Sequence, residues 1–221
     1  MEQRHSTPET VPEVQPEPQG KGKRTRERLL DAANDAILTK GFAGTSIEEL
    51  VETTGITKSG FFYHFRDKGD LARQLLARFI EEDDMVMDEL TARAFALADD
   101  PMQRFLLFLN LYADEMDDME GVHPGCLVAA IIYQEQAFDR QVRELLFEAA
   151  MRWRERFRIW FQAIDAKYTP VAPVDLDTIA DAFSAVVEGS IVLTRALNDR
   201  QLLGRQLRLF RTMVKTTYGI A

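Results

Sequence analysis

The side chains best suited to chemistry lie between residues 57 and 68, in a short polar segment that follows a glycine-containing turn. Thr57, Lys58 and Ser59 open this segment, and Tyr63 and His64 follow about one turn later. These side chains carry hydroxyl, ammonium, phenol or imidazole groups that donate hydrogen bonds. Such groups hold a protein on nucleic acid through phosphate oxygens and read sequence at base edges. The segment therefore predicts a DNA contact, and a solvated helical hairpin with scattered polar residues is the alternative.

Cys126 is the second candidate for chemistry, because it is the single cysteine of the chain. One cysteine cannot form an internal disulfide, and alone it cannot build a thiolate zinc site. It stands at the expected start of a helix, where free backbone N–H groups and the helix dipole stabilise a thiolate and lower its pKa. We therefore predict a sensing thiol, and the alternative is a small buried hydrophobe.

Length and composition predict a soluble protein of one large domain or two small ones. The 221 residues are 46% hydrophobic and 29% charged, and the formal net charge is -9. The charge is uneven, since residues 1–20 carry one Arg against four Glu while residues 21–78 carry eleven Lys and Arg against eight acids. The basic block that begins at residues 21–28 can bind a polyanion. The acidic remainder of the chain disfavours non-specific binding to polyanions.

The first twenty residues are polar and rich in proline, and no run of about 18 apolar residues occurs anywhere in the chain. We therefore expect no membrane span, no secretory signal and a cytoplasmic location. Residues 1–22 have a composition that cannot bury a core, which predicts a disordered tail.

Motifs for catalysis and metal binding are missing from the sequence. Glu120 and His123 have the spacing of one di-iron motif, but such a site needs two motifs and two further Glu ligands. There is no glycine-rich phosphate loop and no nucleophile elbow. We predict no catalytic residues, no metal and no cofactor.

The elements that position these residues are all helical, because apolar residues recur with a period near 3.6 and no strand-like alternation interrupts them. A first helix can end at Gly41, and two short helices, Glu48–Thr54 and Lys58–Phe65, have the proportions of a helix-turn-helix. The same period predicts later helices, about nine in all, at Asp67 to Glu89, Pro101 to Met119, Cys126 to Gln136, Asp139 to Ala166, Asp175 to Asn198 and Gln201 to Tyr218.

Three stretches within residues 24–78 resemble the DNA-binding domain of TetR-type transcriptional regulators. They are Arg28-Leu-Leu-Asp-Ala-Ala, Lys40-Gly-Phe-Ala-Gly-Thr-Ser and Gly55-Ile-Thr-Lys-Ser-Gly-Phe-Phe-Tyr-His-Phe-Arg-Asp-Lys. The resemblance implies a three-helix DNA-binding domain in residues 23–70 and a larger α-helical ligand-binding and dimerisation domain in residues 71–221. It also implies a homodimeric repressor that a small-molecule inducer or an electrophile releases from a palindromic double-stranded DNA operator. A ligand-binding scaffold or interaction module without sequence-specific DNA binding is the alternative.

The resemblance also assigns DNA contacts. Helix caps at Thr45 and Thr57 are expected to touch phosphates, Lys58, Ser59 and Gly60 to face base edges, and Tyr63, His64 and Lys68 to hold the DNA backbone. The sequence departs from the family at Phe62, where a tyrosine is common, so a phosphate hydrogen bond from that ring is not expected. It departs again at Ser59-Gly60, which places a bare backbone in the middle of the reading helix.

In the second half of the chain, residues 123–128 (His-Pro-Gly-Cys-Leu-Val) resemble a Gly-Cys-Leu element of a TetR branch that senses electrophiles, oxidants or small unsaturated acids. Related proteins can carry Lys at the position of Arg195. The Arg195 guanidinium can pair with a carboxylate ligand. Aromatic residues at helical spacing predict a pocket, and plain core is the alternative. The predicted ligand-binding or sensing residues are Cys126, Phe108, Tyr112, Tyr133, Gln134, Trp153 and Arg195.

Small residues in the last two helices predict close helix packing. They are Ala180, Ala182, Ala185, Gly189 and Ser190. This pattern suits a four-helix dimer seam, and an intramolecular bundle has the same pattern.

Overall fold

The computed structural model describes residues 20–134 and 140–220, which form nine α-helices and no strand. The helices are α1 (Lys21–Gly44), α2 (Ile47–Thr54), α3 (Lys58–His64), α4 (Lys68–Leu97), α5 (Pro101–Asp118), α6 (Leu127–Ile132), α7 (Arg140–Asp165), α8 (Leu176–Leu197) and α9 (Leu202–Thr217). The prediction of an all-α chain with about nine helices is confirmed. None of these helices is long and apolar enough to cross a bilayer.

Two predicted boundaries near the chain start and α6 differ from the structure. The predicted disordered tail lies outside the described residues up to residue 19, but α1 already begins at Lys21. The helix predicted from Cys126 to Gln136 is shorter, because α6 ends at Ile132. The predicted helix end at Gln136 and helix start at Asp139 both lie outside the described residues.

Short polar side chains begin five of the helices by accepting a hydrogen bond from the backbone N–H three residues later. The caps are Ser46 for α2, Thr57 for α3, Asp67 for α4, Asp100 for α5 and Asp175 for α8. Each cap pairs one N–H group that the helix itself leaves free. The sequence thus sets these helix starts locally.

Helix α1 breaks at Gly41 without ending there, which corrects the predicted helix end. Gly41 has φ 79° and ψ 164°, a conformation that glycine tolerates because it lacks a Cβ. A Cβ at this position would lie 2.7 Å from Gln134 Nε2. Gln134 Oε1 accepts a hydrogen bond from the backbone N–H of Ala43 at 2.8 Å. The break therefore lets the residue after α6 pack closely on the end of α1.

Two hydrophobic cores organise the described residues. The first joins α1, α2, α3 and the start of α4, and we refer to residues 20–76 as the N-terminal unit. Four buried residues of α6 and α7 complete this first core, namely Leu127, Ile131, Val142 and Leu146. The second core lies in the body, residues 77–134 and 140–220, and is formed by the rest of α4 with α5, α7, α8 and α9.

Helix α4 belongs to both cores. Leu71 and Leu76 are buried in the N-terminal unit, whereas Met87 and Ala94 are buried in the body. The helix has 30 residues, and at about 1.5 Å per residue it forms a continuous rod between the two cores. The boundary predicted at residue 70 falls in its first turn and stays a prediction.

Candidate nucleic-acid interface and body site

Helices α2 and α3 form a helix-turn-helix whose turn is built by local hydrogen bonds. Gly55 ends α2 with φ 64° and ψ 26°, the left-handed conformation that favours glycine. Its N–H donates to the Glu52 carbonyl at 3.2 Å, and the Ile56 N–H donates to the Val51 carbonyl at 3.0 Å. The Thr57 hydroxyl then accepts from the Gly60 N–H at 3.1 Å and begins α3. The turn therefore sets the angle at which α3 leaves α2.

Helix α3 has an inner face and an outer face. Phe61 and Phe65 are buried in the N-terminal core, which fixes the helix against the unit. On the other side, Lys58, Ser59 and Tyr63 are exposed, and Tyr63 is 82% exposed. Tyr63, Lys58 and Ser59 thus share the face that is open to a partner, as the sequence predicts for DNA contacts.

Within the described residues, the exposed polar groups of α3 interact with side chains of the same helix-turn-helix. Lys58 Nζ donates to Glu48 Oε1 at 2.6 Å on the surface, and the Ser59 and Thr57 hydroxyls lie 3.1 Å apart. An exposed ion pair of this kind contributes little, about 0 to 1 kcal/mol, so Lys58 can exchange Glu48 for a phosphate or a base at small cost.

Two of the predicted DNA contacts, Thr45 and Gly60, have structural roles within the unit, and their contacts with DNA stay predictions. By residue type either Thr45 or Ser46 suits the cap of α2, and in the structure Ser46 has that role. The Thr45 side chain is 2% exposed, and its hydroxyl donates to the Gly41 carbonyl at 3.0 Å. Gly60 has no free space beside it, because a Cβ would lie 2.7 Å from Ile56 Cγ2. Gly60 therefore serves packing between the turn and α3, and Thr45 serves the bend after α1.

Lys68 and His64 lie at the rim of the open face. The Lys68 ammonium donates to the Phe42 carbonyl and lies 4.1 Å from the centre of the Phe42 ring. Burial lowers the pKa of Lys68, and the nearby charge of Lys40 adds to the effect. Burial also lowers the pKa of His64, which favours a neutral imidazole near neutral pH. Their DNA contacts stay predictions.

The basic block of α1 is only partly free to meet DNA. Arg26 donates to Gln74 Oε1 at 2.9 and 3.1 Å, and Arg28 donates to the Thr54 carbonyl. These two side chains therefore hold α1 against α4 and α2. Lys23 and Arg24 are exposed and form no ion pair with any described residue, so they remain available as surface charge.

In the body, the structure brings together four of the predicted ligand-binding residues. Phe108 and Tyr112 are buried on α5, with ring centres 6.1 Å apart. Trp153 of α7 and Cys126 are half-buried and pack against the same core. The aromatic residues around them are closely packed core, with Phe157 and Phe183 only 4.2 Å apart.

Tyr133 and Gln134 do not join this group. Tyr133 is 85% exposed at the end of α6, and Gln134 is bonded to the end of α1. Neither side chain lies in this core, and their predicted role in orienting a ligand stays a prediction. Arg195 lies elsewhere again, where α8 meets α1.

The predicted low pKa of the Cys126 thiol is also wrong. Burial raises its pKa to about 12, and the neighbouring Glu188 carboxylate contributes to the rise. Cys126 precedes a helix of six residues and makes no side-chain cap hydrogen bond. Hydrogen bonds from the Ala129 and Val128 backbone act in the opposite direction and do not compensate. The thiol is therefore protonated at neutral pH, and its sensing role stays a prediction.

Two acidic residues of this site were not predicted. Asp83 Oδ2 accepts a hydrogen bond from Trp153 Nε1 at 2.6 Å, and Glu188 lies beside Cys126. Asp83 occupies a position in the inward apolar series of α4, between Leu76 and Met87, where a charged residue is unusual. This charged residue within an apolar series is the sequence feature that could have identified Asp83 as part of the site.

The outer face of α8 and α9 carries exposed apolar side chains. They are Val192, Leu193, Leu197, Leu209 and Met213. Ala182, Ala185 and Gly189 are exposed on α8 as well, and a Cβ at Gly189 would meet no atom within 4 Å. In contrast, Ala180 and Ser190 are buried inside the body. A surface of this composition is typical of an interface between subunits.

Comparison with known proteins matches both parts of the chain. The family described as bacterial regulatory proteins, tetR family, matches residues 29–75. The family described as tetracyclin repressor-like, C-terminal domain, matches residues 101–210. Together these two matches span the helix-turn-helix and most of the body.

Individual relatives agree with the family matches. The transcriptional regulator AcuR of Cereibacter sphaeroides is 28% identical over 169 residues, which cover 75% of this chain and 74% of AcuR. The HTH-type transcriptional repressor DhaR of Mycobacterium sp. (strain GP1) is 22% identical, with 89% of this chain and 96% of DhaR covered. The crystal structure of a TetR family regulator from Agrobacterium tumefaciens has a TM-score of 0.73 at 18% identity, covering 87% of this chain and 98% of that one.

Proposed function

This chain belongs to the TetR family of DNA-binding transcriptional regulators, and we propose that it is a homodimeric repressor released from a palindromic operator by a small molecule in its body. The open face of α3 is the observation that carries the proposal. Phe61 and Phe65 anchor the helix inside the unit, while Lys58, Ser59 and Tyr63 point away from it. A helix anchored in this way can enter a major groove, where such side chains meet base edges and phosphates.

A dimer places two such helices on one DNA molecule. The exposed apolar residues of α8 and α9 offer a self-complementary interface, which would pair two chains around a two-fold axis. The two copies of α3 would then meet half-sites about 34–36 Å apart on one side of the duplex. Tight binding requires that the body hold this separation.

Release requires that an effector favour a different separation. Helix α4 is packed in both cores, so a shift of its body half moves the N-terminal unit with it. To raise the released conformation from 1% to 99% of the molecules, the effector must bind it about 5.5 kcal/mol more tightly than the DNA-binding conformation. The raised pKa of Cys126 favours a reversibly bound ligand over thiol modification as the effector, because the thiolate is the reactive form.

The proposal includes no catalytic activity and no cofactor, since the function needs only binding and a conformational change. It also places the protein in the cytoplasm, which holds the bacterial chromosome. No metal cluster is required for any step.

Fluorescence anisotropy tests the DNA-binding part of the proposal. The full chain is titrated onto duplexes obtained by selection from random sequence, with a scrambled duplex as the control. We expect binding that prefers the selected sequence and that weakens with salt, with a log–log slope of about -0.9 per neutralised phosphate. Equal binding to both duplexes would instead favour a ligand-binding scaffold or interaction module.

Two matched pairs of variants connect this binding to α3. Tyr63→Ala is compared with Tyr133→Ala, because both rings are more than 80% exposed. Lys58→Ala is compared with Arg93→Ala, which removes one exposed positive charge from α4. We expect about a tenfold or greater loss of operator affinity only for the α3 variants, with the melting temperature unchanged. Equal losses within each pair would contradict the assignment of α3.

A further inference from the structure

A small cavity of about 350 Å³ lies at the seam between the N-terminal unit and the body. Its wall comes from α1, from the loop that precedes α6 and from α8. The lining residues include Asp35, Leu38, Thr39, Val122, His123 and Arg195. A volume of this size falls within the range of about 300–1,000 Å³ that is usual for small-molecule sites. The cavity is separate from the aromatic core of the body, because none of its lining residues belongs to that core.

Arg195 of α8 supplies the positive charge of this cavity. Its Nη1 donates to the carbonyls of Leu38 and Pro124, which fixes the guanidinium at the cavity wall. No other hydrogen bond and no ion pair joins this guanidinium to the residues that the structure describes. Its Nη2 and Nε groups therefore keep donors for a guest, and a guanidinium binds a carboxylate well because its N–H groups form a planar fork.

His123 and Thr39 add neutral hydrogen-bond donors to the cavity. His123 Nδ1 accepts a hydrogen bond from the Gly125 N–H at 3.1 Å, so the proton of the neutral ring lies on Nε2. Burial lowers the pKa of His123, and the charge of Arg195 lowers it further, which favours the neutral ring near neutral pH. The Thr39 hydroxyl makes no hydrogen bond within the described residues. Both donors are therefore available to the anionic group that Arg195 would bind.

Asp35 of α1 places an unpaired negative charge in the same cavity. Its carboxylate is exposed and forms neither an ion pair nor a hydrogen bond among residues 20–134 and 140–220. Asp35 and Arg195 thus line one cavity from two different helices without pairing with each other. Asp35 would repel a guest that is only an anion, and Arg195 would repel a guest that is only a cation. A guest that carries both charges satisfies both residues.

We propose that this cavity binds a small zwitterion with one carboxylate and one ammonium group, such as an amino acid. Arg195, the Nε2–H group of His123 and the Thr39 hydroxyl hold the carboxylate. The Asp35 carboxylate holds the ammonium group. The remaining wall is apolar, since it includes Leu38 and Val122, and it accommodates a short aliphatic chain.

The test uses probes that share a five-carbon chain and differ in charge. L-Norvaline and 5-aminopentanoate carry both charges, at a short and a long separation, whereas pentanoate and pentylammonium carry one charge each. Isothermal titration calorimetry measures their binding to the full chain in a buffer without carboxylates or amines. We expect saturable binding of at least one zwitterion, at least about tenfold tighter than that of either singly charged probe. Equal or tighter binding of pentanoate or pentylammonium, or no saturable binding of either zwitterion up to millimolar concentration, would overturn the proposal.

Variants locate the site and leave Arg195 unchanged, because its bonds also hold the seam. Asp35→Asn removes the partner of the ammonium group with little change in shape, and we expect it to weaken zwitterion binding about tenfold or more without weakening pentanoate binding. Thr39→Val removes one donor to the carboxylate and is expected to weaken zwitterion binding by a smaller factor. Glu89→Gln is the matched control, because it removes an exposed carboxylate of α4 that has no ion pair in the described part of the chain.

These variants can also contradict the assignment. Zwitterion binding that is unchanged in Asp35→Asn, or that Glu89→Gln weakens as much as Asp35→Asn does, would overturn the proposed site. Melting curves establish that each variant is folded before it is titrated.

A bound zwitterion would connect the two parts of the chain, because Asp35 and Thr39 belong to α1 while His123 and Arg195 belong to the body. Amide hydrogen exchange at residues 35–39 should therefore slow when the zwitterion is added, and should slow less in Asp35→Asn at the same concentration. Binding without protection of these amides would place the guest elsewhere and overturn the proposal. None of these measurements contains DNA, so their failure is distinguishable from a failure of the proposed function.

Discussion

Arg195 of α8 is hydrogen-bonded to Leu38 of α1, with 3.1 Å between Arg195 Nη1 and the Leu38 carbonyl oxygen. The same nitrogen donates to the Pro124 carbonyl at 2.6 Å. Gly125 makes this approach possible, because its φ is 120° and a Cβ there would lie 2.7 Å from Arg195 Nη1. One guanidinium thus connects the body to the N-terminal unit and to the loop that precedes Cys126.

Arg195→Ala is expected to loosen the end of α1. Without the guanidinium, the Leu38 and Pro124 carbonyls lose a donor, and each such bond contributes about 0.5–1.5 kcal/mol. Hydrogen exchange of amides in residues 38–45 should therefore accelerate. Arg200→Ala is the control, since Arg200 donates to the Asp117 carbonyl inside the body. Equal protection of residues 38–45 in Arg195→Ala and the parent chain would show that the bond does not hold α1.

Gly60→Ala is expected to destabilise the protein and to weaken operator binding. Alanine favours a helix over glycine by about 1 kcal/mol, but the new Cβ would lie 2.7 Å from Ile56 Cγ2. The turn must then shift, and α3 moves with it. Gly44→Ala is the comparison, because its Cβ would lie at an ordinary 3.5 Å from Lys40 Cγ. A melting temperature of Gly60→Ala at or above that of the parent chain would refute the packing role.

Asp100 should make a pH-dependent contribution to stability. Desolvation alone would raise its pKa, but the hydrogen bonds from Lys167, the Gln103 N–H and Tyr168 together outweigh it and lower the pKa from 3.8 to about 2. A pKa that is lower in the folded state gives stability that is fully present above the unfolded pKa and is lost as pH falls toward the folded value. Asp100→Ala should therefore cost about 1 kcal/mol at neutral pH, with a smaller difference as pH falls from 3.8 towards 2.

Chemical denaturation followed by circular dichroism across this pH range measures the effect. Asp100→Asn separates the two contributions, because an amide can cap α5 but carries no charge for Lys167. Its stability relative to the alanine variant should change little with pH. A constant difference between the parent chain and Asp100→Asn at all pH values would show that the charge of Asp100 is unimportant.

Leu193→Glu should convert the proposed dimer into a monomer. The side chain is exposed on α8 beside Val192 and near Gly189, so a charge there would be buried without a partner in a dimer seam. Operator affinity should fall by about a hundredfold or more, because the second half-site no longer binds as part of one molecule. Sedimentation velocity measures the assembly, and Leu97→Glu at the exposed end of α4 is the control. A Leu193→Glu chain that remains dimeric would place the interface elsewhere.

Local signals predicted much of the fold. Ser46, Thr57 and Asp100 are recognisable caps that precede apolar periods, and the structure has helix starts at each of them. Gly55 is likewise recognisable as a helix end, because few other residues adopt its left-handed conformation at low cost. These features depend on a few neighbouring residues, so sequence alone is sufficient.

The errors arose where distant residues decide the outcome. The helix dipole at Cys126 is a local effect, but burial and the charge of Glu188, 62 positions later in sequence, are stronger. The contact of Lys68 with the Phe42 carbonyl is likewise set by a residue distant in sequence, and its DNA contact stays a prediction. The spacing of residues predicts which side chains share a face of a helix. It does not predict which groups from other parts of the chain contact that face.

Because residues of the body complete the first core, the N-terminal unit and the body of this protein are not independent modules that can be exchanged. Leu127 and Ile131 of α6 and Val142 and Leu146 of α7 complete the interior of the unit that carries α3. A chimera that joined residues 20–76 to a foreign body would leave that interior without its cover. Engineers who wish to transplant the DNA specificity of this chain would have to transplant α6 and the first turns of α7 as well.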